Sequence, residues 1–163
     1  MRSSSGYTAP KPGPTLFVHR LDSCAKLPTR ANEYAIGLDV YAFLLTENGK
    51  ATSRAIHQKG VTEVRTGISV RASEGYFIQT HSRSGLAKKG VFVANAPGII
   101  DPDYSGELII LLFNGSFETY YVSHEHRIAQ LILSPICRCE VVEDITRPDS
   151  FGRADAGFGS TGL

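Results

Sequence analysis

Apolar side chains recur at every second position in short runs along most of this chain, and glycine, proline and small polar residues separate the runs. From Leu38 the alternation puts Leu38, Val40 and Ala42 on one side and Asp39, Tyr41 and Phe43 on the other. That is the period of a strand, with Asp39 directed away from the aliphatic face. Val64, Thr66, Ile68 and Val70 alternate with Arg65, Gly67 and Ser69, which predicts another strand, and Gly75–Thr80 continues the pattern. Thr15–Leu21, Glu107–Phe113, Phe117–Val122 and Ile128–Ile136 read as further strands, the last ended by Pro135. Thr46–Gly60 is polar and reads as a surface loop that has room for an additional strand at Ala51–Gln58. His81–Gly90 interrupts the pattern with small and basic residues. No window of about 11 residues sustains a helical period. Short strands with turn signals between them predict an all-β barrel or sandwich.

The two ends differ from the middle. Met1–Pro14 is rich in Ser, Pro, Gly and Thr and reads as a disordered tail. Residues 15–147 read as one domain. Arg147–Leu163 is glycine-rich and cannot form a packed element alone. Its 148–163 segment reads either as a frayed terminus or as a mobile arm that folds over a ligand, with glycine for close approach, Ser160 and Thr161 for phosphate oxygens and Phe158 for stacking. AGFGSTG is not a Walker A loop, because no Lys follows its glycines.

Composition narrows the classes. At 163 residues the chain is long enough for one real core. Its net charge is +1, from 17 basic and 16 acidic residues. That balance argues against a general nucleic-acid surface, which needs clustered Lys and Arg. No run approaches the ~20 apolar residues of a membrane span. Cys24, Cys137 and Cys139 make no disulfide framework, and Cys137-Arg138-Cys139 has no matching His/Cys pair to complete a metal site. They read as reduced intracellular thiols.

Candidate chemistry gathers in Asn95–Glu107, NAPGIIDPDYSGE. Val91-Phe92-Val93 precedes it and Leu108–Phe113 follows, so it reads as a β-hairpin with a longer loop. Asp101 and Asp103 are ordinary turn residues on one reading, since Asp bonds its own backbone in turns. On the other, Asp101 follows Ile99-Ile100, so its carboxylate begins where an apolar strand ends, in a place poorer in water than most loops.

Five stretches, in order, carry a resemblance: AIGLDVYA (Ala35–Ala42), SRSGLA (Ser82–Ala87), GIIDPDYSGEL (Gly98–Leu108), RIAQLIL (Arg127–Leu133) and GRADAGFGSTG (Gly152–Gly162). They are similar to the family patterns A-G-x-D-L-x-A, P-R-S-G-L-A, G-x-I-D-x-D-Y-x-G, G-D-R-I-A-Q-L and R-G-x-G-G-F-G-S-T-G. The chain resembles the trimeric-type dUTPases, the deoxyuridine triphosphate nucleotidohydrolases. The resemblance implies a distorted jelly-roll β-barrel assembled as a homotrimer, with active sites shared between subunits and the C-terminal arm closing a neighbour's site. It implies dUTP as substrate, Mg²⁺ as cofactor, and dUMP and pyrophosphate as products, which limits uracil in DNA and supplies dUMP for thymidylate synthesis. No nucleic-acid or membrane partner is expected.

Roles follow residue by residue from the same resemblance. Asp101 matches the water-activating carboxylate. Asp39 matches a carboxylate associated with the metal, through metal-bound water. Arg83, Ser84, Gly85 and Gln130 match phosphate contacts, while Arg127 reads equally as structural. Tyr104 matches the ring that packs on the deoxyribose and leaves no room for a 2′-hydroxyl. Asn95 and the backbone around Gly98 and Ile100 match contacts to uracil. Phe158 matches the stacking arm aromatic, Arg153 the γ-phosphate contact, and Gly159, Ser160 and Thr161 the rest of the arm.

The chain also departs from the patterns. Ser82 stands for Pro, Glu125-His126 for Gly-Asp, and Ala154 and Ala156 for two arm glycines. Where such glycines adopt positive φ, Ala resists the shape by about 1 kcal/mol or more. Two rival readings are a nucleotide-binding or signalling module of the same fold and a dCTP deaminase. The second needs a Glu near position 111, where this chain has Leu111.

Overall fold

The computed structural model describes residues 13–144. Among them lie twelve strands and one short helix. The chain runs β1 (Leu16–Arg20), β2 (Thr29–Arg30), β3 (Leu38–Tyr41), β4 (Ser53–Ile56), β5 (Val61–Arg65), β6 (Ile68–Ala72) and β7 (Tyr76–His81). Then come α1 (Ser84–Ala87), β8 (Val91–Val93), β9 (Gly98–Ile100), β10 (Ile109–Asn114), β11 (Tyr120–Ser123) and β12 (Arg127–Pro135). No helix among the described residues is long and apolar enough to cross a membrane.

Among the described residues the strands form no closed ring; they pair as four sheets packed around one shared core, the nearly all-β architecture that the sequence predicts. The largest has the order β2-β3-β12-β7-β9, and β5-β10-β8, β1-β6 and β11-β4 complete the set. All pairings are antiparallel. The inward-facing alternate positions meet in one cluster: Val40, Ile56, Val64, Ile68, Ile110, Leu112, Val122, Ile128 and Leu131 are all essentially buried. Truncating one of the Ile or Leu side chains to Ala costs about 2–5 kcal/mol.

β12 sits in the middle of the large sheet and sets the position of the polar residues beside it. Its register puts Gln130 opposite Asp39 on β3 and opposite His81 on β7. A register shift between Arg127 and Ala129 lets Arg127 lie across from Tyr41.

Not every element follows the alternation. The single strand expected across 64–70 is broken at Gly67, which has φ +68°; a Cβ there would come within 2.8 Å of Ala25 and Phe43. β4 forms inside Ala51–Gln58, the additional strand for which the polar stretch has room, and pairs with β11. The break at His81–Gly90 contains α1, one turn that is too short to show a period. β8 and β10 do pair as the two arms of the expected hairpin, but the loop between them inserts β9 onto β7 of the other sheet. The loop therefore bridges two sheets instead of projecting freely.

Candidate active site

Two groups of polar residues stand out, one on the bridging loop beside β7 and one around Asp39 on β3 and Gln130 on β12. The first is the bridging loop. Asn95, Gly98, Ile100, Asp101 and Tyr104 line one cavity of about 200 Å³, with Val93, Ile109 and Ile110 among its apolar walls. That is below the roughly 300–1,000 Å³ of a site for a drug-sized molecule, and suits a single heterocycle better than a whole nucleotide.

The loop's sequence explains its shape. The Ala96–Pro97 bond is cis. Gly98 is buried where the chain crosses β7; a Cβ there would overlap Thr80 Oγ1 and lie 2.9 Å from Asn95 Nδ2. Thr80 Oγ1 donates to the Gly98 carbonyl at 3.4 Å. The Tyr104 N–H donates to the Asp101 carbonyl at 3.1 Å, which closes the turn at the tip. The Tyr104 hydroxyl donates to the Glu107 carbonyl at 2.8 Å, and a Cβ at Gly106 would come 2.6 Å from that hydroxyl. Glu107 anchors the base of the loop by accepting from the Gly67 N–H at 2.8 Å and from Arg65 Nε at 3.0 Å. The carboxylate of Asp101 is not in the dry setting that its apolar neighbours suggest. It is exposed, because Ile99 faces outward and is 67% exposed.

The second group surrounds Asp39, which is 2% exposed. Arg83 Nε donates to Oδ1 at 2.8 Å and Arg83 Nη2 to Oδ2 at 3.5 Å. Gln130 Nε2 donates to Oδ1 at 3.1 Å and Arg127 Nη1 to Oδ2 at 3.3 Å. Burial pushes the Asp39 carboxyl up, but the Arg83 and Gln130 hydrogen bonds and the Arg83 and Arg127 charges outweigh it and hold the group below its ordinary value. Arg127, which the sequence left open as structural, belongs to this group. So does Gly37, which the sequence reading did not single out: a Cβ at 37 would come 3.0 Å from Gln130 Cδ, so the amide keeps its aim because residue 37 has no side chain. A glycine two residues before a strand-borne Asp was the available signal.

Ser84 and Gly85 lie on α1 and are exposed. A Cβ at Gly85 would meet nothing within 4 Å, so packing within the chain does not require glycine there. Arg83 and Gly85 line a second cavity, which shares no residue with the first. Arg153, Phe158, Gly159, Ser160 and Thr161 lie outside the described residues.

The dUTPase family model matches residues 23–162. The chain belongs to the dUTPase family. A deoxyuridine 5′-triphosphate nucleotidohydrolase of Anaplasma marginale (strain St. Maries) is 39% identical over 137 residues, 83% of this chain and 88% of that protein. One from Hydrogenobaculum sp. (strain Y04AAS1) is 40% identical over 149 residues, 91% of this chain and 98% of that protein. Among solved structures, a Staphylococcus bacteriophage 80alpha dUTPase with dUpNHpp matches with a TM-score of 0.75 at 23% identity, covering 91% of this chain and 99% of that one. A dUTPase from phage phi11 of S. aureus, described with a structural Mg(II) ion, matches with a TM-score of 0.68 at 22% identity, covering 83% and 99%. At such identities the likeness to the two phage enzymes is one of fold.

Two departures from the dUTPase pattern have a structural setting. Ser82 Oγ accepts from the Val93 N–H at 2.9 Å and ties the segment before α1 to β8. Glu125 stands at φ +60°, a left-handed position where the family's Gly is at ease, and its carboxylate pairs with Lys26 at 3.1 Å. Ala154 and Ala156 lie outside the described residues.

The residues present do not fit an ion held directly by this chain. Among the described residues no group of three His, Cys, Asp or Glu side chains is gathered to hold a metal. Asp39 already accepts four hydrogen bonds, which fills the roughly four lone-pair sites of a carboxylate.

Proposed function

We propose that this chain hydrolyses dUTP to dUMP and pyrophosphate, as an intracellular homotrimer whose active sites are shared between subunits. The observation that carries the reading is the cavity at the bridging loop, where Asn95, Gly98, Ile100, Asp101 and Tyr104 converge. A base fits between the β9 backbone and Asn95, with the deoxyribose on the Tyr104 ring, which excludes a 2′-hydroxyl. The sugar then directs the phosphates outward, past Asp101 at the rim.

The chemistry is in-line displacement at the α-phosphorus. Asp101 accepts a hydrogen bond from a water and fixes its line of attack; the water oxygen bonds to the α-phosphorus as the bond to the α,β-bridging oxygen breaks. The water's proton passes to Asp101, and the electron pair leaves with pyrophosphate. A carboxylate is a weak base, so orientation contributes more than basicity. Donors to the phosphates stabilise charge on the leaving group: the Ser84 hydroxyl and the Gly85 N–H, joined by the Arg83 fork and Gln130 as the phosphates compete with Asp39 for them. None of these donors lines the base cavity, and in the shared-site reading the donors and the base cavity that act on one nucleotide come from different subunits. The arm, with Arg153 for the γ-phosphate, Phe158 for the base, and Gly159, Ser160 and Thr161 around them, would close it.

Mg²⁺ is the proposed cofactor. It keeps several waters and takes phosphate oxygens, and Asp39 would reach its hydration shell only once a phosphate has drawn Arg83 or Arg127 away. A deaminase reading finds no support on β10, where Leu111 lies opposite Glu63 and no acid stands on the strand itself.

Pyrophosphate release measured across dUTP, UTP, dTTP and dCTP tests the proposal. Release from dUTP alone is expected. Binding of dUTP without release would make the chain a nucleotide-binding module, and ammonia from dCTP would make it a deaminase.

A further inference from the structure

The cleft beside α1 differs in chemistry from the base cavity. Arg83, Gly85, Lys89, Tyr120, His126 and Arg127 are among the residues that line its volume of about 380 Å³. Three of its lining residues are permanent cations and none is a carboxylate. Asp39 offsets part of the Arg83 and Arg127 charge from behind. Lys89 Nζ stands 5.7 Å from the centre of the Tyr120 ring.

His126 lines this cleft, and a turn contact through Nδ1 fixes its ring. The Ser123 N–H donates to His126 Nδ1 at 3.2 Å, across the turn from β11 to β12. A ring nitrogen that accepts does not carry the proton, so the neutral imidazole holds its hydrogen on Nε2. Nε2 makes no hydrogen bond among the described residues. The turn therefore spends one nitrogen on the fold and leaves the other as an N–H donor on a residue that shares the cleft lining with three cations. That donor set, with no acceptor carboxylate on the wall, selects a phosphate chain over a neutral or cationic ligand.

We propose that His126 is a further substrate-binding residue, donating from Nε2 to a phosphate oxygen of the triphosphate; the assignment rests on the reading of the chain as a dUTP nucleotidohydrolase. The position that carries Asp in the family pattern thus adds a donor to the phosphate cleft instead of a negative charge.

Two substitutions separate the ring's two duties. His126→Asn keeps an acceptor near the Nδ1 position for the Ser123 N–H and removes the outer donor. His126→Gln puts an amide N–H near the Nε2 position and gives up the turn acceptor. Full-length wild type and both variants are titrated with dUpNHpp and with deoxyuridine, and melted. The expected result is that His126→Asn melts with the wild type, binds dUpNHpp about tenfold more weakly, the loss of one hydrogen bond to a charged group, and binds deoxyuridine unchanged. His126→Gln melts lower and keeps dUpNHpp affinity to within about threefold. A wild type that binds dUpNHpp beside an Asn variant that binds it equally well overturns the assignment, as does an Asn variant that loses both ligands alike. A wild type that binds no dUpNHpp overturns the functional reading and the assignment together.

Discussion

Arg83 Nε lies 2.8 Å from Asp39 Oδ1, and this contact anchors a set of four donors around a carboxylate that is 2% exposed. Removing the charge leaves two guanidinium groups facing a neutral amide. Asp39→Asn is expected to destabilise the fold by about 2–4 kcal/mol, less than a wholly buried pair would cost because Arg127 is half exposed. The pH dependence has a definite sign. The folded group sits below its ordinary value of 3.8, so the folded state binds fewer protons than the unfolded state in that range. Its contribution is fully present above that value and is lost as pH falls through the lowered folded value. Denaturant titrations between about pH 6 and pH 3 check this: the wild type loses stability toward acid, and Asp39→Asn loses correspondingly less.

Asp101 stands in contrast, since its side chain is exposed at the rim of the base cavity. Asp101→Asn should change stability by no more than about 0.5 kcal/mol. If the carboxylate orients the water, kcat falls by about 10²–10⁴ while affinity for dUpNHpp stays within a few fold. Single-turnover pyrophosphate release beside analogue binding reads both quantities. An unchanged rate would remove Asp101 from the chemistry.

These two carboxylates show what the sequence discloses and what it hides. Alternation gives β3 directly, and with it the sidedness of Asp39. It does not give the burial of Asp39, because that comes from Arg83 and Gln130, which are 44 and 91 residues away in the chain. Asp101 sits where the turn signals place it, yet its surroundings are misjudged from its neighbours, since Ile99 points outward. β9 is hidden for a related reason: three residues in a Pro- and Gly-rich stretch carry no period, and only β7 makes them a strand. Gly67 looks like one more alternating position until Phe43 and Ala25 arrive behind it. Local pattern reports which residues can be strands; partners distant in sequence decide sheet order and burial.

Gly98 tests the loop's seating on β7. A methyl group there meets Thr80 Oγ1 and Asn95 Nδ2 together, so the loop must lift. Gly98→Ala should cost about 1–3 kcal/mol, the range for overpacking a tight site. It should also weaken deoxyuridine binding, because Asn95, Gly98 and Ile100 share the cavity wall. A thermal melt with a deoxyuridine titration checks both. A variant that melts lower but binds normally would separate loop seating from base recognition.

The arm is tested by its removal. Among the described residues the buried core cluster runs from Ala25 to Leu131, with Leu16, Val18 and Leu133 packed against it, and a chain ended after Arg147 retains all of them. Its melting temperature should match that of the full chain, while dUTP turnover falls by at least about tenfold through loss of base stacking alone. Full activity in the shortened protein would show that Arg153 and Phe158 have no part in the reaction.

Tyr104 provides the sharpest test of substrate choice. Its hydroxyl is committed to the Glu107 carbonyl at 2.8 Å, so the exclusion of a ribose falls to the ring alone. Tyr104→Phe keeps the ring and drops one hydrogen bond; a loss of about 1 kcal/mol in stability and an unchanged preference for dUTP over UTP are expected. Tyr104→Ala removes the wall, and UTP turnover relative to dUTP should rise by about tenfold or more. The ratio of kcat/KM for the two nucleotides measures this directly, independent of enzyme concentration. If the Phe variant loses discrimination as fully as the Ala variant, the hydroxyl rather than the ring reads the sugar, and the loop's pinned geometry would matter less than the polar contact.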